Sequence, residues 1–242
     1  MSKVLFLLVV FLSNIIQCVT GFAGTVLAMP FSIMLVGYRV AKPILNVLGI
    51  AASVGVVATN HKSLNKREFI KIVSIMLSGI LVGVFISEHF MQYSEILYFI
   101  LGITVITISI INMIKFFSKN HDKEPPEAVS IILLILSGLI HGVFDCGGPL
   151  LVAYASAKIK DSDELRSTLS AVWIILNTVI LFSDIHEGYF VSQTLRLTLL
   201  CIAVLVFAVI IGNIVSKKLS RNAFLILTYI LMLISGVSLI FK

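Results

Sequence analysis

Gly21-Phe-Ala-Gly-Thr-Val-Leu-Ala-Met-Pro30 and Asp145-Cys-Gly-Gly-Pro-Leu-Leu-Val-Ala-Tyr154 are the two stretches that decide the fold. Each sets small residues inside a long apolar segment, and they align without a gap when Gly24 is placed on Gly148, an offset of 124. The same offset places Lys42 on Arg166 and Asn60 on Asp184, so the chain reads as two related halves. Glycine in an apolar helix has two physical uses. It lets the helix break and restart, which lipid tolerates only where protein or a water-filled cavity meets the freed backbone groups. It also lets two helices approach closely. Gly21 and Gly24 in one half, and Gly138, Gly142, Gly147 and Gly148 in the other, recur at equivalent places, which favours glycine-broken or re-entrant helices.

The surrounding sequence belongs in a bilayer. Of 242 residues, 59% are hydrophobic and 12% charged, about half the charge of an ordinary soluble domain. Too few charged side chains remain to cover a water-facing surface, which excludes a soluble enzyme. Runs without Lys, Arg, Asp or Glu extend over Val4–Tyr38, Pro43–Asn60, Ile72–Ser87, Ile96–Ile114, Ala128–Phe144, Ser167–Ser183, Leu197–Ser216 and Asn222–Phe241. Most are long enough, or nearly so, to cross a core of about 30 Å as helices. The expected fold is all-α and polytopic, with about 8–10 transmembrane segments. Residues 2–20 are expected to be a retained first helix, because no small-residue cleavage site follows them. The net charge of +6 is explained by Lys and Arg at cytoplasmic helix ends and calls for no nucleic-acid partner.

Loop charges orient the segments. His61–Lys71 (Lys62, Lys66, Arg67, Lys71), the linker with Lys115, Lys119 and Lys123, the stretch with Lys158, Lys160 and Arg166, and Lys217–Arg221 are expected inside. Glu88–Glu95 and Asp184–Phe190 lack Lys and Arg and are expected outside. Equivalent loops then fall on opposite sides, as in an inverted-topology repeat: residues 1–118, a charged linker 119–127, and residues 128–242. An odd number of crossings per half follows if segments 4–38 and 128–158 each enter and return. Arg39 and Lys42 then lie outside, against the charge rule, which asks for a functional reason at Lys42.

Candidate site residues come from what the apolar pattern does not explain. A restarting helix offers N–H groups and a positive dipole end to an anion, which nominates Gly21, Gly24, Gly147 and Gly148. Lys42 and Arg166 are repeat-related cations, either anion-binding groups or helix-end residues. Asp145 lies deep in an apolar segment with His141 one turn before it. There it serves as a proton carrier, a helix cap, or both. Asn46 and Ser53, and Ser170 and Asn177, share helix faces at i, i+7 and coincide at the offset, so they contact substrate or neighbouring helices. Trp173 is site wall or packing. Cys18, Cys146 and Cys201 lie in apolar segments, with no C-x-x-C pair and no sign of a disulfide framework. Neither a cofactor nor a metal is expected.

The two glycine motifs, in halves divided by a charged linker, resemble those of the sulfite exporter TauE/SafE family over essentially the whole chain. That resemblance implies a multi-pass plasma-membrane transporter, not an enzyme, for sulfite, a sulfonate or another small organic anion, coupled to an ion such as a proton or sodium. Ala23, Thr25, Asp145 and Cys146 depart from the family's glycine-rich pattern. Two alternatives stay open: a thiol–disulfide carrier using Cys18 and Cys146, and a passive anion channel. Oligomeric state cannot be read from the sequence.

Overall fold

A computed structural model describes residues 2–90, 94–118 and 126–240. The charged linker expected at 119–127 lies outside the described residues except for Pro126 and Glu127. Among the described residues all regular structure is helical. The helices are α1 (Ser2–Thr20), α2 (Ala23–Val36), α3 (Tyr38–Asn60), α4 (Lys66–Phe90), α5 (Ser94–Phe117), α6 (Glu127–Phe144), α7 (Gly148–Lys158), α8 (Ser162–His186), α9 (Ser192–Ser216) and α10 (Arg221–Ile240). Several start where the sequence supplies a cap. Asn65 Oδ1 accepts from Glu68 N at 3.0 Å before α4, Asp161 Oδ1 from Glu164 N at 2.8 Å before α8, and Ser220 Oγ from Ala223 N at 3.3 Å before α10.

Among the described residues six helices, α1, α3, α4, α6, α8 and α9, are long and apolar enough to cross a membrane. With α5 and α10, of 24 and 20 residues, eight helices have spanning length. The remaining two are half-length. α2 has 14 residues and α7 has 11, about 21 and 16 Å at 1.5 Å per residue, short of a core of about 30 Å. Each follows a longer helix across a tight break and folds back on it. Segments 4–38 and 128–158 therefore form helix–half-helix hairpins.

The chain divides into two compact units. The first, residues 1–64 and 166–219, holds α1, α2, α3, α9 and all of α8 but its first turn. Within it α1 packs on α2 and α9, and α3 packs on α1, α2 and α9. The second, residues 65–165 and 220–242, holds α4 to α7 and α10. There α6 packs on α4, α10 on α5, and α7 on α5 and α6. Large apolar side chains on the outer faces, such as Leu199 and Phe207 of α9 and Ile70 and Phe85 of α4, are exposed. They match lipid, not water.

One expectation is corrected. Gly138 and Gly142 do not interrupt a helix: they lie inside α6, on the face against α4. A Cβ on Gly138 would lie 2.2 Å from the Met76 carbonyl oxygen, and one on Gly142 would lie 2.5 Å from that of Ile80. Gly79 and Gly83 of α4 meet the Ile135 and Leu139 carbonyls as closely, at 2.3 and 2.2 Å. Small residues let backbones touch where lipid gives no hydrophobic drive to associate. Gly138→Ala should therefore lower the thermal stability of the detergent-solubilised protein, with about 1–3 kcal/mol lost to overpacking. An unchanged melting curve would show that α4 and α6 do not pack this closely.

Candidate functional site

The first break is a capped turn. α1 ends at Thr20, Gly21 takes φ +82°, and its N–H donates to the Gln17 carbonyl at 2.7 Å. Thr20 Oγ1 accepts from Phe22 N and Ala23 N, and Gln17 Oε1 accepts from Gly24 N at 2.8 Å. The leading N–H groups of α2 are thus bound by α1 itself. This differs from the expectation that Gly21 and Gly24 leave them open to an anion. Gly24 is required for a different reason, since a Cβ there would meet Gln17 and the Ser13 carbonyl at 2.5 and 2.7 Å.

In the second unit α6 ends on Asp145, at φ +57°, whose N–H donates to the His141 carbonyl at 2.8 Å. Asp and Asn are among the few non-glycine residues that take this left-handed position readily. Asp145 therefore caps the helix that ends, α6. Its Oδ1 lies 3.4 Å from His141 Nε2, with both side chains buried. Ser137 Oγ donates to the Gly147 carbonyl at 2.7 Å. A Cβ on Gly147 would lie 2.3 Å from the Ser137 carbonyl oxygen, so only glycine lets the chain turn back here. Gly148 opens α7, with Pro149 in its first turn, where a missing N–H costs nothing.

The most organised polar feature lies in the first unit, where α3 and α8 run antiparallel. Lys42 Nζ sits 2.8 Å from Asp184 Oδ1, and Asn46 Nδ2 donates to Asp184 Oδ2 at 3.3 Å. Halfway along, a Cβ on Gly49 would lie 2.9 Å from Asn177 Nδ2. At the far end Asn60, its amide oxygen turned to the guanidinium, accepts from Arg166 Nη1 at 3.0 Å, and Ser167 Oγ donates to the Asn60 carbonyl at 3.0 Å. Equal advances along α3 meet equal retreats along α8, so one face of each helix forms a continuous seam. Lys42 and Asn60 lie about 27 Å apart along α3, close to a hydrocarbon thickness.

Both cations are buried: Lys42 exposes 4% of its surface, Arg166 2% and Asp184 none. Arg166 also donates through Nε to the Cys18 carbonyl and through Nη2 to Asn213 Oδ1. Gly21 lies against it, because a Cβ there would be 3.0 Å from the Arg166 carbonyl oxygen. Lys42 Nζ lies 5.8 Å from the Tyr189 ring centre, and burial raises that phenol above its ordinary range. Between the two ends Asn46 Oδ1, Ser53 Oγ and Ser170 Oγ are buried without a protein hydrogen-bond partner. Buried polar atoms normally have one, so this stretch of the seam can bond to something that is not protein.

Of the residues nominated from sequence, Gly21, Gly24, Lys42, Asn46, Arg166, Ser170 and Asn177 fall in the first unit. His141, Asp145, Gly147 and Gly148 fall in the second. Asp184, Asn60 and Asn213 were missed. Asp184 was placed in an outside loop, yet α8 runs on to His186 and buries it. Its only sequence signal was its coincidence with Asn60 at the 124 offset. Cys18, Cys146 and Cys201 are free and buried. Trp173 is buried on the seam face of α8.

Long apolar helices, two half-helices folded back at breaks, and buried cations along an antiparallel helix pair together define a polytopic membrane protein with charge buried among its helices. The sulfite exporter TauE/SafE family model matches residues 6–239, and the chain belongs to that family of membrane transporters. Neither a curated protein nor a solved structure gives a significant match.

The buried pair has a measurable signature. Removing one partner of a buried ion pair leaves an uncompensated charge and costs about 3–5 kcal/mol, whereas replacing both with apolar groups is often close to neutral. Asp184→Leu alone should thus destabilise the protein strongly, and Lys42→Met/Asp184→Leu much less. Equal melting temperatures for the single and double variants would show that the pair is not closed.

Proposed function

We propose that this chain is a secondary transporter in the plasma membrane for a small sulfur-containing or organic anion, such as sulfite or a sulfonate. It works by alternating access between inverted halves, residues 1–118 and 128–242. One observation carries this reading: two buried cations, Lys42 and Arg166, stand at opposite ends of a seam with buried polar atoms between them that lack protein partners. A cation held in apolar surroundings attracts an anion far more strongly than it would in water. Arg adds a planar fork suited to carboxylate or sulfonate oxygens.

Support for inverted halves comes from packing. Lys42 and Arg166 match at the offset, as do Asn60 and Asp184, and Lys42 meets Asp184 while Asn60 meets Arg166. Those are the reciprocal contacts that two halves inserted in opposite senses would make. The first helix of each half packs on the fourth helix of the other, α1 on α9 and α6 on α4. His141 and Asp145 are the residues we assign to take up a coupling proton, since an imidazole and a carboxyl group stand 3.4 Å apart there and both are buried. Sodium remains the other candidate coupling ion. No observation favours the thiol carrier, whose sulfurs are enclosed.

Reconstituted into liposomes, the protein should accumulate sulfite or a sulfonate against its gradient when a pH gradient is imposed. Uphill flux of this kind separates a transporter from a passive channel. Arg166→Gln should cut flux by at least about tenfold, the equivalent of about 1.4 kcal/mol, whereas Cys18→Ser/Cys146→Ser should leave it intact. Unchanged flux in both Arg166→Gln and Lys42→Ala would refute the anion site.

A further inference from the structure

The seam treats its two cations differently. Lys42 meets a carboxylate, Asp184, while the offset-related residue facing Arg166 is the neutral amide Asn60. We propose that Asp184 is the resident counter-ion of an anion seat at Lys42, and that a transported anion and the Asp184 carboxylate compete for the same ammonium group. This rests on the anion-transport reading above and adds what keeps the seat filled between turnovers.

Lys42 and Asp184 are buried and 2.8 Å apart. A lone charge at such a place is strongly disfavoured, and Lys42, unlike Arg166 with its ring of neutral oxygens, meets its charge with a carboxylate. The second oxygen of that carboxylate is held by Asn46. An arriving anion cannot simply add, because two anions on one ammonium would leave a net negative charge in an apolar surrounding. It has to take the carboxylate's place. The seat is provided for such an exchange: Asn46 Oδ1 and, two turns further along the same face, Ser53 Oγ are buried without protein partners. A protonated oxyanion seated at Lys42 would donate to Asn46 Oδ1, and Ser53 Oγ, about 10 Å further along α3, would bond to water or to the anion as it moves on.

Chemical rescue tests this. Asp184→Ala removes the carboxylate and leaves a space of its size beside Lys42. The purified variant in detergent should be stabilised by formate, acetate or sulfite at constant ionic strength set with gluconate, with an apparent Kd at least about tenfold below that of the wild type. Lys42→Met/Asp184→Ala should lose that anion-dependent gain. If Asp184→Ala does not fold, Asp184→Asn, of the same shape, takes its place in the comparison. The inference is overturned if the Asp184 variant gains no more from anions than the wild type, or if the double variant keeps the gain. Anion flux through wild-type protein, measured in parallel, separates the two readings. Flux without rescue removes the counter-ion role alone, and rescue without flux removes the transport reading.

Discussion

Everything in the first unit is arranged around the cost of burying a cation in an apolar chain. A charge within hydrocarbon is stable only while something compensates it. Lys42 is compensated by a carboxylate, and Arg166 is held by amide and carbonyl oxygens from Asn60, Asn213 and Cys18. Meeting those contacts fixes more than two side chains. Lys42 and Arg166 sit near the starts of their helices, and Asp184 and Asn60 near the ends, so the contacts require α3 and α8 to lie antiparallel at one register. The glycine at position 49, opposite Asn177, lets that register be held.

Backbone groups impose the second constraint. A helix that breaks inside a membrane must place its freed N–H and C=O groups with partners, and the two breaks do this differently. At Gly21 the side chains of Thr20 and Gln17 take the leading N–H groups of α2. At Asp145 the chain turns through a left-handed residue, and Ser137 binds the Gly147 carbonyl. The short half-helices are therefore secured to the helices preceding them, and the two buried cations are held elsewhere, on α3 and α8.

Apolar runs and loop charges made the helices and the positions of both breaks readable in the sequence, because lipid imposes a strong and local rule on composition. The site was readable only in part. Lys42 stood out as a cation on the wrong side of the charge rule, and the reason for it is Asp184, 142 positions further along the chain. A carboxylate that ends an uncharged run looks like a loop residue, and pairing over such a distance leaves no periodic trace. Gly138 and Gly142 show the opposite difficulty. A glycine that breaks a helix and one that seats a neighbouring helix read alike, and only the α4 backbone, 2.2 Å from a Cβ at Gly138, separates them.

The polar seam also explains why Asn46, Ser53, Ser170 and Asn177 belong on the faces they occupy. A hydroxyl or amide buried without a partner costs about 1–3 kcal/mol, so a chain with no use for such groups would do better with alanine or valine. Asn46 Oδ1, Ser53 Oγ and Ser170 Oγ all carry that cost. They lie between the two cations and on the faces that α3 and α8 turn to each other. On the transport reading proposed above, that cost is offset by a bond made when the seam is occupied. On that reading an anion would accept from the two serine hydroxyls and a protonated anion or a water would donate to Asn46 Oδ1, so that the same groups would guide it from one cation to the next.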